Sequence, residues 1–146
     1  MEAILLIGIQ GAGKSTFYRE RFFDTHVRIS LDLLRTRNRE RRLLAFCLET
    51  GQRFVIDKTN TTIAERARYI APARATGFKV IGYFFEPDPK GSIERNRQRT
   101  RQVPAAGLFG TLKRLERPDQ AEGFDQLYRV VLTPEGGFAV SDYATG

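Results

Sequence analysis

Within "GIQGAGKST", Gly8, Gly13, Lys14 and Ser15 stand at the spacing G-x-x-x-x-G-K-[ST]. These residue types in this order do phosphate chemistry. Gly8, Gly11 and Gly13, with the small Ala12 among them, let consecutive backbone N–H groups curl around an anion with no bulky side chain in the way. Lys14 then reaches the β- and γ-phosphates of ATP, and the Ser15 hydroxyl ligates Mg²⁺. Thr16 falls in the first turn of the helix that must follow, where the helix dipole also favours negative charge. The pattern has meaning only between a strand and a helix. Residues 3–7, "AILLI", form the apolar run of a strand buried on both faces, and Phe17, Phe22 and Phe23 interleaved with Tyr18, Arg19, Glu20 and Arg21 suit a partly buried helix.

Three further stretches carry residues capable of chemistry. "SLDLLR" places Asp32 just past a second strand and Arg35 three residues on, a spacing that puts both on one helix face. Asp32 can accept a proton from an attacking hydroxyl while Arg35 holds a charged group of the acceptor. "FVIDKTNTT" ends an apolar run on Asp57, an acid placed to support Mg²⁺ directly or through water, with Thr59 and Asn60 as hydrogen-bonding partners for the acceptor or a phosphate. "IERNRQRTRQVP" carries Arg95, Arg97, Arg99 and Arg101; Arg95 and Arg99, at i and i+4, are the best candidates to stabilise the equatorial oxygens of a phosphoryl group in transit. A fourth run, "RTRNRERR", follows Asp32 directly, and some of its arginines can track a phosphate backbone.

Something must hold these stretches together. Apolar runs at residues 3–7, 27–30, 53–57 and 79–86 alternate with helical patterns, the longest over residues 33–49, where Leu43, Leu44, Ala45, Phe46 and Leu48 form the expected buried portion. A helix is expected from "TTIAERARYIAPARATG" despite Pro72, a very basic one over 88–101, and a short one over 107–115, before a fifth strand in "FDQLYRVVL" and a final short strand. Alternation of this kind predicts an α/β fold, a parallel sheet of about five strands flanked by helices, in one domain over residues 1–146 with an Arg-rich lid near residues 88–104. Ligands in such sheets lie beyond the carboxyl ends of the strands, so chemistry is expected at Gly8, Ser30, Asp57 and Glu86.

Composition agrees. The 146 residues are 41% apolar, with 11 Phe and 5 Tyr to fill a core. The net charge is +7, and 19 of the 24 basic residues are arginine, whose planar fork suits phosphate better than the point charge of lysine. A lone Cys47 excludes an internal disulfide, and no apolar run reaches membrane-spanning length, so a cytoplasmic enzyme with no membrane partner is expected. His26, the single histidine, is expected to be structural.

In their order, "GIQGAGKST", "SLDLLR", "IDKTNTTIAERARYI", "KVIGYFFE" and "IERNRQRTRQVP" make the chain resemble the 5′-hydroxyl polynucleotide kinases, typified by the kinase domain of the phage end-healing enzyme. The resemblance spans roughly residues 4–117. It implies that Lys14 and Ser15 hold ATP·Mg²⁺, that Asp32 is the general base, that Arg35 engages the phosphate next to the accepting 5′-OH of DNA or RNA, and that Arg95 or Arg99 clamps the donor phosphates. No D-x-D-G-T-like acid pair is present, so phosphatase or ligase action is expected only from an associated enzyme. Small P-loop kinases of sugars, nucleosides, nucleotide sugars or antibiotics share the outline and remain the alternative.

Overall fold

A computed structural model describes residues 1–98 and 104–143. Five parallel strands, β1 (Glu2–Ile7), β2 (Val27–Ile29), β3 (Phe54–Asp57), β4 (Lys79–Phe85) and β5 (Gln126–Leu132), form one sheet, closed at its edge by an antiparallel β6 (Phe138–Asp142). The spatial order is β2-β3-β1-β4-β5-β6. The chain leaves β1 towards the β2 edge and returns from β3 to β4 on the other side, so the strand order reverses beside β1. A crevice must open at the carboxyl end of β1.

Side chains alternate across β1 and divide the core in two. Ala3, Leu5 and Ile7 pack with Cys47, Tyr69, Ile70 and Ala73 on one face; Ile4 and Leu6 pack with Phe17, Tyr18 and Phe22 on the other. Helices α1 (Lys14–Arg21), α2 (Leu31–Leu34), α3 (Arg37–Thr50), α4 (Ile63–Ala75), α5 (Pro89–Arg97) and α6 (Ala105–Arg114) connect the strands. α4 runs through Pro72 to Ala75, as expected. No helix among the described residues is long and apolar enough to cross a membrane.

The helix expected over residues 33–49 is two helices. Arg35 adopts a left-handed conformation (φ 73°), and the Thr36 hydroxyl accepts a hydrogen bond from the Arg39 backbone N–H at 3.2 Å, starting α3 afresh. A Thr cap satisfies one of the amides that a continuous helix would have bonded to its own carbonyl, so the break is locally self-consistent. The restart shifts the helical phase. Glu40 and Cys47 are the buried residues, Leu43, Leu44 and Leu48 are half-buried, and Ala45 and Phe46, expected inside, are exposed. Burial pushes the Cys47 thiol up to about 11, so it is an inert core group.

Arg66 of α4 is completely buried. Its Nε and one Nη donate to the Glu122 carboxylate at 2.8 and 3.1 Å, and its other Nη donates to the carbonyls of Asn60 and Thr61 at 2.8 and 3.3 Å. This one side chain ties the loop after β3 to the short 3₁₀ turn Gln120–Glu122. His26 is buried too, between Thr25 Oγ1 and Glu2 Oε1, and burial lowers its pKa, in keeping with a structural role.

Candidate active site

The glycine loop follows β1 because the next residues cannot continue a strand. Gly11 (φ 75°) and Gly13 (φ 94°) are both left-handed, and the Gly8 amide leaves the ladder to bond the Thr59 carbonyl at 3.0 Å. Gly13 caps α1, whose first residue is Lys14. Lys14 is only 9% exposed and folds back over the loop, its Nζ donating to the Gly8 and Ile9 carbonyls at 2.9 and 2.7 Å. Those bonds hold the ammonium over the glycine loop, where the motif leads one to expect a phosphate chain.

Gly11 has a second constraint. A Cβ there would lie 2.7 Å from the Ser92 carbonyl oxygen of α5, so the loop and α5 pack backbone to backbone. Gly11→Ala is therefore expected to lower nucleotide affinity and to reduce stability by about 1–3 kcal/mol, because left-handed strain and a backbone clash add. Gly136→Ala is the control, left-handed (φ 86°) with nothing within 4 Å of its added Cβ. Nucleotide titration and thermal melting of both variants check this; equal effects would mean that the approach of α5 plays no part.

A cleft of about 350 Å³ opens beside the loop at the crevice. Gln10, Gly11, Gly13, Lys14, Ser15 and Thr16 line it from the loop and α1, Ser30 and Asp32 from the end of β2, Asp57, Lys58 and Thr59 from the end of β3, and Arg95 from α5. Three strand ends thus converge, as the strand-end rule predicts. Glu86 does not join them. It lies against a smaller neighbouring cleft, gripped by Arg117 and by Arg129, and the Arg117 hydrogen bond, helped by that of Arg129, lowers its carboxyl pKa. A carboxylate held by two arginines is a structural tie.

Asp57 carries the central polar contact. The Ser15 hydroxyl donates to Asp57 Oδ2 at 3.0 Å, and Arg28 donates to the same oxygen through Nε at 2.8 Å and to Ser15 Oγ through Nη2 at 3.1 Å. Two hard oxygens at this spacing fit Mg²⁺, which keeps several waters and takes phosphate oxygens as its other ligands. No cluster of three or more His, Cys, Asp or Glu capable of holding a metal exists among the described residues.

The remaining expected residues divide between the cleft and its surroundings. Asn60 is buried, left-handed (φ 48°), and its Nδ2 donates to the Leu6 carbonyl at 2.7 Å, so it pins the β3 loop to β1 behind the cleft. Thr59 lines the cleft, and its hydroxyl accepts from Thr61 Oγ1 at 3.0 Å. Gly8 sits behind the loop, where a Cβ would come 2.9 Å from Phe85 Cβ, and Ala12 turns its methyl into the apolar cluster. Arg35 is not among the cleft residues. The i, i+3 argument for pairing it with Asp32 fails because α2 ends at Leu34 and the left-handed backbone turns Arg35 off the helix.

Arg95 donates to the Gly11 carbonyl through Nε and to Ser92 Oγ at 3.3 Å, and burial lowers its pKa against the opposing charge of Asp88. Among the described residues of the Arg-rich segment, Arg95 is the arginine seen to bond the glycine loop. Arg99 and Arg101 lie outside the described residues.

Sequence reasoning missed Arg28 and Arg19, both in the cleft. Arg28 pairs with Val55 across β2 and β3, so it shares a sheet face with Asp57 two residues further along. A charged residue between Val27 and Ile29, in a strand beside one that ends in an acid, was the available signal.

Comparison with known proteins bears on the fold. The PezAT chromosomal toxin–antitoxin system of Streptococcus pneumoniae contains a chain that superposes with a TM-score of 0.72 at 17% identity, over 99% of this chain and 73% of that one. Kti12 of Chaetomium thermophilum, solved in complex with ADP-AlF3, superposes at 0.66 with 14% identity over 88% of each chain. A gluconokinase from Sinorhizobium meliloti 1021 gives 0.62 at 19% identity, over 89% of this chain and 82% of that one. At these identities the likeness is one of fold, and it is the P-loop NTPase and kinase fold. A family model described as an AAA domain matches residues 35–118, more than half of the 146 residues, and the chain belongs to that family.

Proposed function

We propose that this protein is an ATP- and Mg²⁺-dependent kinase that transfers the γ-phosphoryl group to the 5′-OH end of a DNA or RNA strand. The observation that carries the reading is the placement of Asp32 in one cleft with Lys14, Ser15, Asp57 and Arg95. Phosphoryl transfer needs little covalent help from a protein; it needs positioned phosphates, cations on the transferred group and a base on the attacking hydroxyl. The loop amides and Lys14 hold the triphosphate. Ser15 and Asp57 hold the metal, and bound Mg²⁺ supplies neutralisation of the charge that develops on the phosphate oxygens. Arg95 adds a guanidinium from α5, and Asp32 takes the proton of the accepting hydroxyl.

The arginine count favours a polyanionic acceptor. Arg37, Arg39, Arg41 and Arg42 are exposed on α3, which begins five residues after Asp32; they do not share one helix face, and those on the side of Asp32 would meet the phosphates of a strand whose 5′ end lies there. The placement of Arg35 off the cleft favours a second reading, a kinase of a small hydroxyl compound that fits the cleft without a phosphate neighbour.

γ-Labelled ATP, Mg²⁺ and a mixture of 5′-OH DNA and RNA oligonucleotides separate the two. Label on the strands, absent with Asp32→Asn, is the expected result and also shows the strand preference. Bound ATP with unlabelled strands overturns the polynucleotide acceptor and directs the search to small hydroxyl compounds.

A further inference from the structure

We propose that Arg28 is a displaceable cation: it occupies the metal-binding oxygens of Ser15 and Asp57 until a divalent ion arrives, and then anchors a phosphate of the acceptor. The proposal rests on the nucleotide, metal and polynucleotide-acceptor reading of the cleft given above. Its geometric basis is that Arg28 donates to both Asp57 Oδ2 and Ser15 Oγ, at 2.8 and 3.1 Å, and that these are the two oxygens suited to Mg²⁺. A guanidinium and a dication on one carboxylate oxygen repel each other at contact distance, and the dication binds hard oxygen more strongly. One of the two must leave.

The side chains show which one can move. The Asp57 side chain is 4% exposed and fixed at the end of a buried strand, whereas that of Arg28 is 31% exposed and borders the cleft. Arg28 lies on β2, the strand that runs directly into Ser30 and Asp32, so a guanidinium released from Asp57 remains beside the base and therefore on the acceptor side. Its planar fork accepts a phosphate in bidentate fashion, which a lysine at the same place does not reproduce. Arg28 thus takes the acceptor role that the sequence suggests for Arg35, from a position that lines the cleft.

A thermodynamic consequence follows. If the metal frees Arg28 for the acceptor, metal and acceptor each tighten the binding of the other by the same factor. Full-length wild type, Arg28→Ala and Arg28→Lys are saturated with a non-hydrolysable ATP analogue and titrated with Mn²⁺ followed by electron paramagnetic resonance. Binding of a 5′-OH oligonucleotide is followed by fluorescence anisotropy with and without the metal. In wild type, Mn²⁺ is expected to raise oligonucleotide affinity by about 5–10-fold. Arg28→Ala is expected to bind Mn²⁺ about tenfold more tightly, because its competitor is gone, and to lose the metal effect on the oligonucleotide. Arg28→Lys keeps the charge and so the competition, but loses most of the oligonucleotide gain with the fork.

Unchanged or weaker Mn²⁺ binding by Arg28→Ala, with the nucleotide analogue still bound, overturns the competition. Equal metal enhancement of oligonucleotide binding in wild type and Arg28→Ala overturns the anchor role. Failure of the wild type to bind the analogue at all overturns the underlying nucleotide reading, and failure to bind the oligonucleotide with or without metal overturns the polynucleotide acceptor and the anchor role with it; both results are distinct from loss of the competition.

Discussion

Asp32→Asn is expected to slow phosphoryl transfer by about 10²–10⁴-fold while leaving nucleotide affinity unchanged. The substitution keeps the size and hydrogen-bonding outline of the side chain and removes its ability to take a proton. Asp32 stands in the first turn of α2, after Ser30 has ended β2 in extended backbone (φ −135°, ψ 125°), and it lines the cleft that also holds Lys14. Asp57 is the other acid available, but Ser15 and Arg28 both donate to its Oδ2, which suits it to a cation rather than to a proton. Single-turnover transfer and nucleotide titration of the same preparation check the expectation. Retained transfer removes Asp32 as base; loss of nucleotide binding in parallel with transfer moves it into the metal and phosphate machinery.

Arg66→Met is expected to cost about 3–5 kcal/mol of folding stability. The arginine is 0% exposed and the side chain of its partner Glu122 only 6% exposed, so the substitution leaves a carboxylate buried without its counter-charge. The carbonyls of Asn60 and Thr61 lose a donor at the same time. A matched pair, Arg66→Met with Glu122→Leu, is expected to recover much of the loss, since replacing both members of a buried ion pair is often neutral. Chemical denaturation of the three proteins measures it. A loss below about 1 kcal/mol for Arg66→Met would show that Glu122 reaches water in solution. The effect extends to the site, because Arg66 holds the loop from which Asp57, Lys58 and Thr59 enter the cleft.

Elements with strong local signals were legible from their residues. The glycine loop, the apolar strands and the Thr62-capped helix α4 depend on contacts within a few residues, and each lies within one or two residues of its expected position. The division between α2 and α3 was less legible. Helical propensity runs almost unbroken from Leu31 to Thr50, and what interrupts it is a single Thr cap next to an arginine that accepts positive φ. One such break was enough to send Phe46 to the surface and Arg35 off the cleft.

The sequence alone identified a phosphate-binding loop, an α/β sheet, and Asp32 and Asp57 as acids at strand ends, because motif spacing and strand-end placement are one-dimensional properties. It did not disclose the Ser15, Arg28 and Asp57 cluster. Those hydrogen bonds join residues 13, 29 and 42 positions apart, on α1, β2 and β3. Their meeting is set by the register of β2 against β3 and by the packing of α1 on the same sheet face. Side-chain direction across a sheet reverses with every residue, so a one-residue slip in β2 would carry Arg28 to the opposite face. The tertiary structure fixes that register, and with it the cation that stands on Asp57.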